Sequence, residues 1–424
     1  MGDRKIELHG LLYAGLVALG LLGCADTSGP AGGDMPLPAE RAAGDEHAPA
    51  AAPDDPPDAG APVAAVPPLP EPPFVGPVDI AAGAEHTCSL HAGRVRCWGS
   101  NAFHQLGDPA LANGRGVFRE EPREVAGLSR VVALGAGTHH TCAITDAGEV
   151  RCWGHGGYGQ LGDAGRDDRP SPVPVPLGAP ARSVSGGDGH TCAALTSGAV
   201  YCWGRNDHGQ LGDASFSPRA TPVRVALPED AAEVAAGRLH TCARGESGWV
   251  QCWGMHLFGQ LGARVRVTGG HRATPAALAR LDDAVGLGAG MDHTCALRRS
   301  GRVMCWGRND HGQLRLDRMR ALPANTQLAL GEGHSCALVP GGRLSCVGNN
   351  RRQQLGVGPL QAGAPRRVRE GEGSARVALG YRHTCWIDAA GTFGCRGEPE
   401  GGRLGLATGA VVPPPVPPPS APAE

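Results

Sequence analysis

The residues of this chain whose types and spacing could do chemistry are histidines and cysteines that recur together. His-Thr-Cys occurs six times and His-Ser-Cys once, and a second cysteine follows each first one after nine or ten residues. One histidine with two thiolates could bind zinc, the histidine alone could act as a general base, and two cysteines could form a disulfide. The histidines concerned are His86, His140, His190, His240, His293, His334 and His383.

Cys24 is the one cysteine outside these pairs, and it follows a segment typical of an export signal. A basic start precedes an apolar run over residues 11–22, which is too short to span a bilayer comfortably. Residues 21–24, Leu-Leu-Gly-Cys, resemble the lipobox of bacterial lipoproteins. The resemblance implies that the signal peptide, residues 1–23, is removed, that Cys24 carries a lipid anchor, and, with Ala25 next, that the protein reaches the outer membrane. The alternative is an ordinary signal peptide with an incidental cysteine.

The other 14 cysteines form seven local pairs in a chain expected to be exported, which is typical of disulfides. If the hairpin loop is Asp146-Ala147-Gly148, Cys142 falls directly opposite Cys152, within bridging distance. Zinc would need reduced thiols and a fourth ligand, so we predict no metal and no cofactor. Seven histidines in one local context indicate a structural role, namely a side-chain hydrogen bond to backbone near the adjoining turn. The predicted disulfides are Cys88–Cys97, Cys142–Cys152, Cys192–Cys202, Cys242–Cys252, Cys295–Cys305, Cys336–Cys346 and Cys385–Cys395.

Composition limits the fold and the partners. The chain has 424 residues with 67 glycines and 37 prolines, so a helical bundle and a long coiled coil are excluded. The formal net charge of −2 produces no strong field that would recruit nucleic acid or a membrane surface. Residues 24–76 are rich in Ala, Pro and acidic side chains and are predicted to form a disordered tether, and the Pro-rich residues 413–424 a disordered tail.

Seven sequence repeats organise residues 77–412. Each repeat has a glycine three residues before the histidine, and five of the second cysteines continue as Cys-Trp-Gly. A Gln-Leu-Gly turn follows in five repeats, with Gln313-Leu314-Arg315 and Arg403-Leu404-Gly405 as variants. The first cysteines lie 41 to 54 residues apart, a period that suits a four-stranded antiparallel propeller blade. The sequence therefore predicts an all-β, seven-bladed β-propeller with Pro-containing outer strands.

The repeat Gly-x-x-His-Thr-Cys, then Gly-x-Val-x-Cys-Trp-Gly, then Gly-Gln-Leu-Gly resembles the regulator-of-chromosome-condensation repeat in its cysteine-containing bacterial form. The resemblance implies the seven-bladed propeller of that family. The last two repeats depart from the pattern at Cys346-Val347-Gly348 and Cys395-Arg396-Gly397. The eukaryotic namesake is a nuclear exchange factor that binds chromatin, and an exported chain would meet neither of its partners. A secreted bacterial relative that inhibits β-lactamases through aromatic loops is the better analogue.

One variable position of the repeat is the candidate partner-binding site. Six residues after the second cysteine, aromatic and basic side chains recur where a propeller would place them in a ring on one face, and such residues dominate binding hot spots. The alternative is that they pack over their own Gln-Leu-Gly turns. The predicted binding residues are Phe103, Tyr158, His208, Phe258, His311 and Arg352. Second candidates are the long connections of the first and fourth repeats, with Arg115, Phe118 and Arg119 and with Arg264, Arg266 and Arg272.

The motifs of common enzymes are absent from the sequence: it has no phosphate-binding Gly-rich loop before a helix, no nucleophile elbow and no His-Glu-x-x-His. We therefore expect a non-catalytic, monomeric, protein-binding or scaffolding propeller that is lipid-anchored at the cell envelope and binds an envelope or extracellular protein, not nucleic acid. One alternative is a propeller enzyme acting on envelope glycans, which would need two carboxylates converging near the axis with a raised pKa in one. The other is a structural envelope component without a dedicated ligand.

Overall fold

A computed structural model describes residues 76–262, 269–356, 358 and 361–405 of the chain. All of these residues belong to one contact unit, Pro70–Glu424. The predicted signal peptide 1–23, Cys24, nearly all of the tether 24–76 and the tail 413–424 lie outside the described residues, as do Arg264 and Arg266. The predicted domain boundaries therefore stay predictions.

Each of the seven repeats folds into one antiparallel sheet in which the strands pair in chain order, and these sheets are the blades. Blade one has β1 (Asp79–Ala82), β2 (His86–His91), β3 (Arg94–Ser100) and β4 (Phe118–Glu124); blade two has β5 (Val131–Ala136), β6 (His140–Thr145), β7 (Val150–Gly154) and β8 (Arg169–Pro174). Blade three has β9 (Ala181–Gly186), β10 (His190–Leu195), β11 (Val200–Gly204) and β12 (Arg219–Arg224); blade four has β13 (Ala231–Ala236), β14 (His240–Gly245), β15 (Val250–Met255) and β16 (His271–Ala277). Blade five has β17 (Ala284–Ala289), β18 (His293–Arg298) and β19 (Val303–Gly307); blade six has β20 (Gln327–Leu330), β21 (His334–Val339), β22 (Arg343–Asn349) and β23 (Gln361–Arg367); blade seven has β24 (Arg376–Leu379), β25 (His383–Ile387) and β26 (Phe393–Gly397). The predicted all-β, seven-bladed propeller is confirmed.

Blades five and seven have three strands among the described residues where the sequence predicted four. Blade five belongs to the shortest repeat, with 41 residues between successive first cysteines, and a 3-10 helix, Arg315–Arg318, stands in the connection where other blades form a fourth strand. Its Trp306 is 9% exposed, whereas the Cys-Trp-Gly tryptophans of blades one to four are fully buried. The other described helices are the 3-10 turns Arg369–Gly371 and Glu400–Gly402, and no helix in the described ranges is long and apolar enough to cross a membrane.

The seven predicted disulfides are present, at the positions that the hairpin count indicates. In every blade the two cysteines oppose each other on the second and third strands, with Cα atoms 4.1 Å apart. In blade two, Ile144 faces Val150, and Gly148 has a left-handed φ of 78°. In blade one, the shorter turn Ala92-Gly93 has φ of 49° and 74° and again aligns the cysteines. The thiols that a zinc site would require are therefore bonded to one another.

Each Cys-Trp-Gly motif packs against the Gln-Leu-Gly turn of the preceding blade. The Trp203 indole donates its N–H to the backbone oxygen of Gln160 at 2.8 Å. Gly162 of the same turn has a φ of 74°, and a Cβ there would lie 2.8 Å from the indole nitrogen, so both conformation and space require glycine. Trp98, Trp153, Trp253 and Trp306 donate to the preceding blade in the same way, Trp98 to the carbonyl of Arg403. The two motifs are halves of one contact between neighbouring blades.

A second contact between neighbouring blades occurs at all seven interfaces. The Nε2 atom of each repeated histidine lies 2.8–3.0 Å from a hydroxyl of the next blade, which belongs to threonine six times and to Ser335 once. The series returns to its start, because His383 of blade seven bonds Thr87 of blade one. The expected structural role is present, but the expected partner is wrong: the histidine bonds a side chain of the neighbouring blade and not backbone near its own turn.

The hydrogen-bond pattern fixes the charge and the tautomer of these histidines. Thr191 donates its hydroxyl hydrogen to the backbone oxygen of Gln160 at 2.8 Å, so its oxygen accepts from the N–H of His140, and the same arrangement recurs at three other interfaces. Burial lowers the pKa of His240 to about 3 and that of His334 to about 4. The rings are therefore neutral, and at these four interfaces they carry their proton on Nε2.

Blade seven closes the ring against blade one through side chains. Phe393 stacks on Trp98 with ring centroids 4.4 Å apart, and Arg403 pairs with Glu85 at 3.2 Å. Among the described strands, none from one end of the chain joins a sheet from the other end. Closure therefore uses the same kind of side-chain contact as every other interface between blades.

We expect the free energy of unfolding to decrease as the pH falls from 7 to 5. The repeated histidines have an ordinary pKa of 6.5 when unfolded and a much lower one when folded, so below pH 6.5 the unfolded state binds more protons. Each histidine then costs about 1.4 kcal/mol per pH unit until the pH reaches its folded pKa. His240→Gln keeps an N–H donor for Thr294 but does not titrate. In denaturant unfolding at several pH values, the free energy of unfolding of this variant should therefore fall less steeply with decreasing pH, by about 1.4 kcal/mol per pH unit.

His91→Gln is the matched control, because His91 is an exposed histidine at the end of β2. Its slope of stability against pH should equal that of the unchanged chain. Equal slopes for the unchanged chain and His240→Gln would contradict a buried, neutral imidazole in the folded state.

Candidate binding face

The connections from strand one to two and from strand three to four of each blade end on the same side of the propeller, because neighbouring strands are antiparallel. We call this side the loop face. The three-to-four connections are long, spanning 101–117 in blade one, 155–168 in blade two and 205–218 in blade three. The six predicted binding residues lie in these connections or in the corresponding segment of blade five.

The backbone at the predicted binding position is held by the glutamine of its own Gln-Leu-Gly turn. The backbone N–H of each predicted residue donates to the side-chain oxygen of the glutamine two residues later, at 2.8–2.9 Å; the donors are Phe103, Tyr158, His208, Phe258, His311 and Arg352. The glutamines are buried. Each glutamine therefore shapes its loop with its side chain, and in four blades it also bonds the next blade with its backbone carbonyl.

The side chains at this position contact the next blade. The ring of Phe103 lies 4.7 Å from that of His155, and the guanidinium of Arg352 lies 3.2 Å from Glu398. Arg205 covers Tyr158 at 5.1 Å, and Arg308 covers Phe258 at 4.8 Å. The sequence analysis missed these contacting residues, although all of them occupy one fixed position, directly after the glycine that ends the third strand.

Two of these contacts are built by an identical segment, Arg-Asn-Asp-His-Gly-Gln-Leu, at 205–211 and 308–314. Arg205 pairs with Asp188 at 2.9 Å and with Asp207 at 2.6 Å. Arg308 pairs with Asp292 and Asp310 in the equivalent way. The carboxylates hold each guanidinium in place, so that it covers one face of the aromatic ring of the preceding blade.

Histidines occupy two of the interfaces that lack this arginine, those between blades one and two and between blades three and four. His139 and His155 flank Phe103, and the Nδ1 atoms of His208 and His271 lie 2.9 Å apart. Burial lowers the pKa of His139, His155 and His208. At neutral pH these rings are therefore uncharged, and one Nδ1 of the His208–His271 pair donates its hydrogen to the other.

The exposed large apolar side chains lie on the loop face of blades one to four. The large apolar residues with the greatest exposure among the described ones all lie on or directly beside the three-to-four connections of blades one to four: Phe118 (47%), Tyr158 (41%), Phe216 (52%), Leu257 (63%) and Phe258 (42%). We call these five residues the apolar arc. The sequence analysis did not predict Phe216 or Leu257, because it compared a single position of the repeat; a lone large apolar residue in a polar connection was the signal. The predicted residues Phe103, His208 and His311 are half-buried.

The centre of the loop face leads to a narrow cavity on the axis. The cavity has a volume of about 150 Å³ and is lined mostly by glycines and alanines of the first strands and their turns. At its rim the hydroxyls of Tyr381 and Thr138 lie 3.0 Å apart, and burial raises the pKa of Tyr381 to about 12. A cavity of this size has room for a few water molecules but is smaller than a typical small-molecule site.

The carboxyl groups that burial perturbs do not form a catalytic pair. Burial raises the pKa of Asp79 and of Glu233, which lie on the first strands of blades one and four. Asp79 accepts a hydrogen bond from the backbone N–H of Leu134 at 2.9 Å, and Glu233 accepts one from Leu287 at 3.1 Å, so both link neighbouring blades. Within the described ranges, no group of three or more His, Cys, Asp or Glu side chains is arranged to hold a metal ion.

The fold and the repeat motifs together define the class of protein. The family model described as the RCC1-like domain matches residues 45–324, more than half of the chain. The chain therefore belongs to this family of propellers.

Solved structures show the same fold. Yeast RCC1 (Prp20), solved in complex with Kap60, is similar with a TM-score of 0.65 and 22% identity, over 79% of this chain and 82% of that chain. Human WBSCR16 is similar with a TM-score of 0.63 and 21% identity, over 74% of this chain and 87% of that chain. At these identities the likeness establishes the fold and not the activity.

Relatives among curated proteins match over short segments. Protein pim1 of Schizosaccharomyces pombe is 34% identical over 99 residues, which are 21% of this chain and 18% of the relative. Ultraviolet-B receptor UVR8 of Arabidopsis thaliana is 34% identical over 100 residues, which are 23% of this chain and 22% of the relative. The matches span about a fifth of the length of these relatives, so they relate the repeats and do not carry a whole protein's activity.

We expect the Tyr158–Arg205 contact to couple blades two and three by about 0.5–1 kcal/mol, the usual value for an exposed cation–π pair. A double-mutant cycle of Tyr158→Ala and Arg205→Ala, read by denaturant unfolding, measures this coupling. The control cycle combines Tyr158→Ala with Arg308→Ala, whose residues lie in blades that are not neighbours, and should be additive. Additivity in both cycles would show that the stacked arginine contributes nothing to the interface between blades.

Proposed function

We propose that this protein is a non-catalytic, protein-binding propeller of the bacterial cell envelope, and that its partner docks on the loop face of blades one to four. The observation that supports this proposal is the apolar arc. Single apolar residues scattered over a surface are normal, but a group of large ones on one side of a molecule is typical of an interaction site. Aromatic rings beside arginines are the residues that dominate binding energy at protein interfaces.

The apolar arc stands on a rigid scaffold. The buried glutamines hold the backbone of the connections, and the guanidinium groups of Arg205 and Arg308 support the rings of Tyr158 and Phe258 from one side. Binding would therefore order few additional groups, which lowers its entropic cost. This is the property expected of a surface that recognises a folded protein.

Relatives are consistent with a protein partner. Yeast RCC1 is solved bound to Kap60, and Prp20p of Saccharomyces cerevisiae is described with its binding to Gsp1p and histones. Those partners belong to those proteins. What supports the present proposal is that propellers of this family bind other proteins, and the partner proposed here is a different one, from the envelope or its surroundings.

The two alternatives make different demands on the loop face. A structural component without a ligand needs no apolar cluster there, so the apolar arc favours binding. A glycan-cleaving enzyme needs two converging carboxylates near the axis, and the described carboxyl groups with a raised pKa are instead links between blades.

We expect the triple variant Tyr158→Ala, Leu257→Ala and Phe258→Ala to lose a partner that the unchanged chain captures from cell-envelope extract. Central anchors of an interface typically contribute about 2 kcal/mol each, so capture in a quantitative pull-down should fall by at least about tenfold. Unfolding midpoints are compared to ensure that the variant remains folded.

The control variant changes three exposed residues in the strand-two-to-three turns on the opposite side: Thr196→Ala, Glu246→Ala and Arg299→Ala. It should capture the partner as well as the unchanged chain does. If the triple variant captures the partner as well as the unchanged chain does, the binding site does not lie on the apolar arc. If the unchanged chain captures nothing, the structural and enzymatic alternatives gain, and glycan substrates are tested next.

We further propose that the protein is a monomer anchored in the outer membrane through Cys24. The lipobox-like residues 21–24 support the anchor, and Ala25 supports the choice of membrane. Cys24→Ala should move the protein from the membrane to the soluble fraction, measured by fractionation and by the mass of the mature N-terminal peptide. Ala25→Asp is the matched control: it should keep the lipid and change only the membrane. A Cys24→Ala protein that stays membrane-bound after signal removal would overturn the anchor.

A further inference from the structure

A basic groove lies between blades five and six, away from the apolar arc. It has a volume of about 420 Å³ and is formed by the chain that follows the 3-10 helix of blade five and by β22 and β23 of blade six. Four arginines line it, together with Met319, Ala321, Leu322, Ser345 and Pro365; these arginines are Arg318, Arg320, Arg343 and Arg367. We call it the blade-six groove. None of the residues that line it is acidic.

The arginines of the blade-six groove are exposed, and most of their charges are not paired with a carboxylate of the described chain. In the described part of the chain, no carboxylate forms an ion pair with Arg318, Arg320 or Arg343. Arg367 pairs with Glu372 at 2.7 Å, outside the lining of the groove. Arg318 donates to the backbone oxygen of Gly363 at 3.3 Å, which holds its side chain beside β23.

Register places two of these arginines side by side. Ser345 faces Arg367 across β22 and β23, and Arg343 stands two residues before Ser345 on the same face of the sheet. Arg343 and Arg367 are therefore diagonal cross-strand neighbours, a spacing that long side chains can bridge. Two guanidinium groups at this spacing can share one carboxylate between them.

In blade one, the two positions equivalent to Arg343 and Arg367 carry opposite charges. Arg96 faces Glu124 in the equivalent register, Arg94 takes the place of Arg343, and Arg94 pairs with Glu124 at 3.2 Å. Thus a carboxylate reaches the arginine across this diagonal in blade one, and blade six has a second arginine where that carboxylate would be. The other four-stranded blades have Glu149 and Pro174, Ala199 and Arg224, and Trp249 and Ala277 at these positions. Two like charges occur in blade six alone among the five described four-stranded blades.

The groove is suited to an extended acidic peptide. Its lining alternates arginine guanidinium groups, which bond carboxylates in a bidentate way, with the apolar side chains of Met319, Leu322 and Pro365. A lone inorganic anion would use the charge and leave the apolar surface in water, whereas a peptide with alternating acidic and apolar side chains uses both. We propose that the blade-six groove binds an extended acidic segment of a partner protein, whose carboxylates pair with Arg343 and Arg367.

The test uses the full chain and a fluorescein-labelled peptide of alternating Glu and Leu, about six residues long, which spans roughly 20 Å when extended. Fluorescence anisotropy at low ionic strength should show saturable binding that weakens as salt is added. Arg367→Glu installs the charge pair of blade one in blade six and should weaken binding by at least about tenfold. Because it exchanges the ion pair of Arg367 with Glu372 for one with Arg343, its unfolding midpoint should stay close to that of the unchanged chain.

A second variant and a matched control separate binding from folding. Arg343→Ala should weaken peptide binding to a similar extent without lowering the unfolding midpoint. Arg94→Ala, at the equivalent position of blade one, should leave the affinity unchanged. No binding by the unchanged chain, or equal binding by Arg367→Glu, would overturn the proposal. So would loss of binding only in variants that melt at lower temperature.

Two further probes decide the chemistry of the ligand. A peptide of alternating Lys and Leu should not bind, and inorganic phosphate at the peptide's concentration should not displace the acidic peptide. Displacement by equimolar phosphate would show a site for small anions and overturn the peptide assignment. Vesicles with anionic lipid are the last probe. If the protein sediments with them and this depends on Arg343 and Arg367, the groove binds a membrane surface and the peptide assignment is overturned.

Discussion

The hydrogen bond from a neutral imidazole to a hydroxyl of the next blade is the interaction on which the propeller depends. Backbone ladders end at the edge of each sheet, so neighbouring blades can be joined only by side chains and isolated backbone bonds. The histidine lies over the glycine three residues before it: a Cβ on Gly187 would lie 2.2 Å from His190 Cε1 and 2.5 Å from the carbonyl oxygen of Gly237 in the next blade. Burial keeps the ring uncharged, so seven such bonds fit in a dry core, and the disulfides are left to align strands two and three within each blade.

What could be predicted from the sequence was local, and what could not was the contact across a repeat boundary. The hairpins, their registers and the cysteine pairing follow from spacings of about ten residues. The Trp–Gly contact joins residues in different repeats, and no local spacing shows it. Arg315 in place of a turn glycine and Val347 in place of a tryptophan read as two separate departures from the repeat, but both fall at the interface of blades five and six, where Val347 and Leu316 belong to one buried cluster.

The candidate site likewise has one feature that the sequence predicts, the position of its residues, and one that it does not, their exposure. Repeat alignment found the position of Tyr158 and Phe258, because loop position follows from the repeat. It could not distinguish them from the half-buried Phe103 or find Phe216, because exposure depends on what the neighbouring blade offers and on the course of each connection. The residue after the third-strand glycine decides this: arginine at 205 and 308 covers one ring face and leaves the other open, while His155 and His139 enclose Phe103.

The uneven regularity of the blades separates two surfaces. Blades one to four keep the repeat motifs, bury their Cys-Trp-Gly tryptophans completely and present the apolar arc on rigid connections. The shortest repeat leaves blade five with three strands, and the basic groove opens beside the segment that replaces the fourth. Apart from the hydrogen bond between Tyr381 and Thr138, the main contacts between blades join neighbours, so a local departure exposes side chains at one interface, as at Trp306. Blade six has Arg343 and Arg367 where blade one has an Arg–Glu pair, so the fold itself does not require two arginines there, and the carboxylate of the proposed ligand would be the partner of Arg343 that blade one finds within its own sheet.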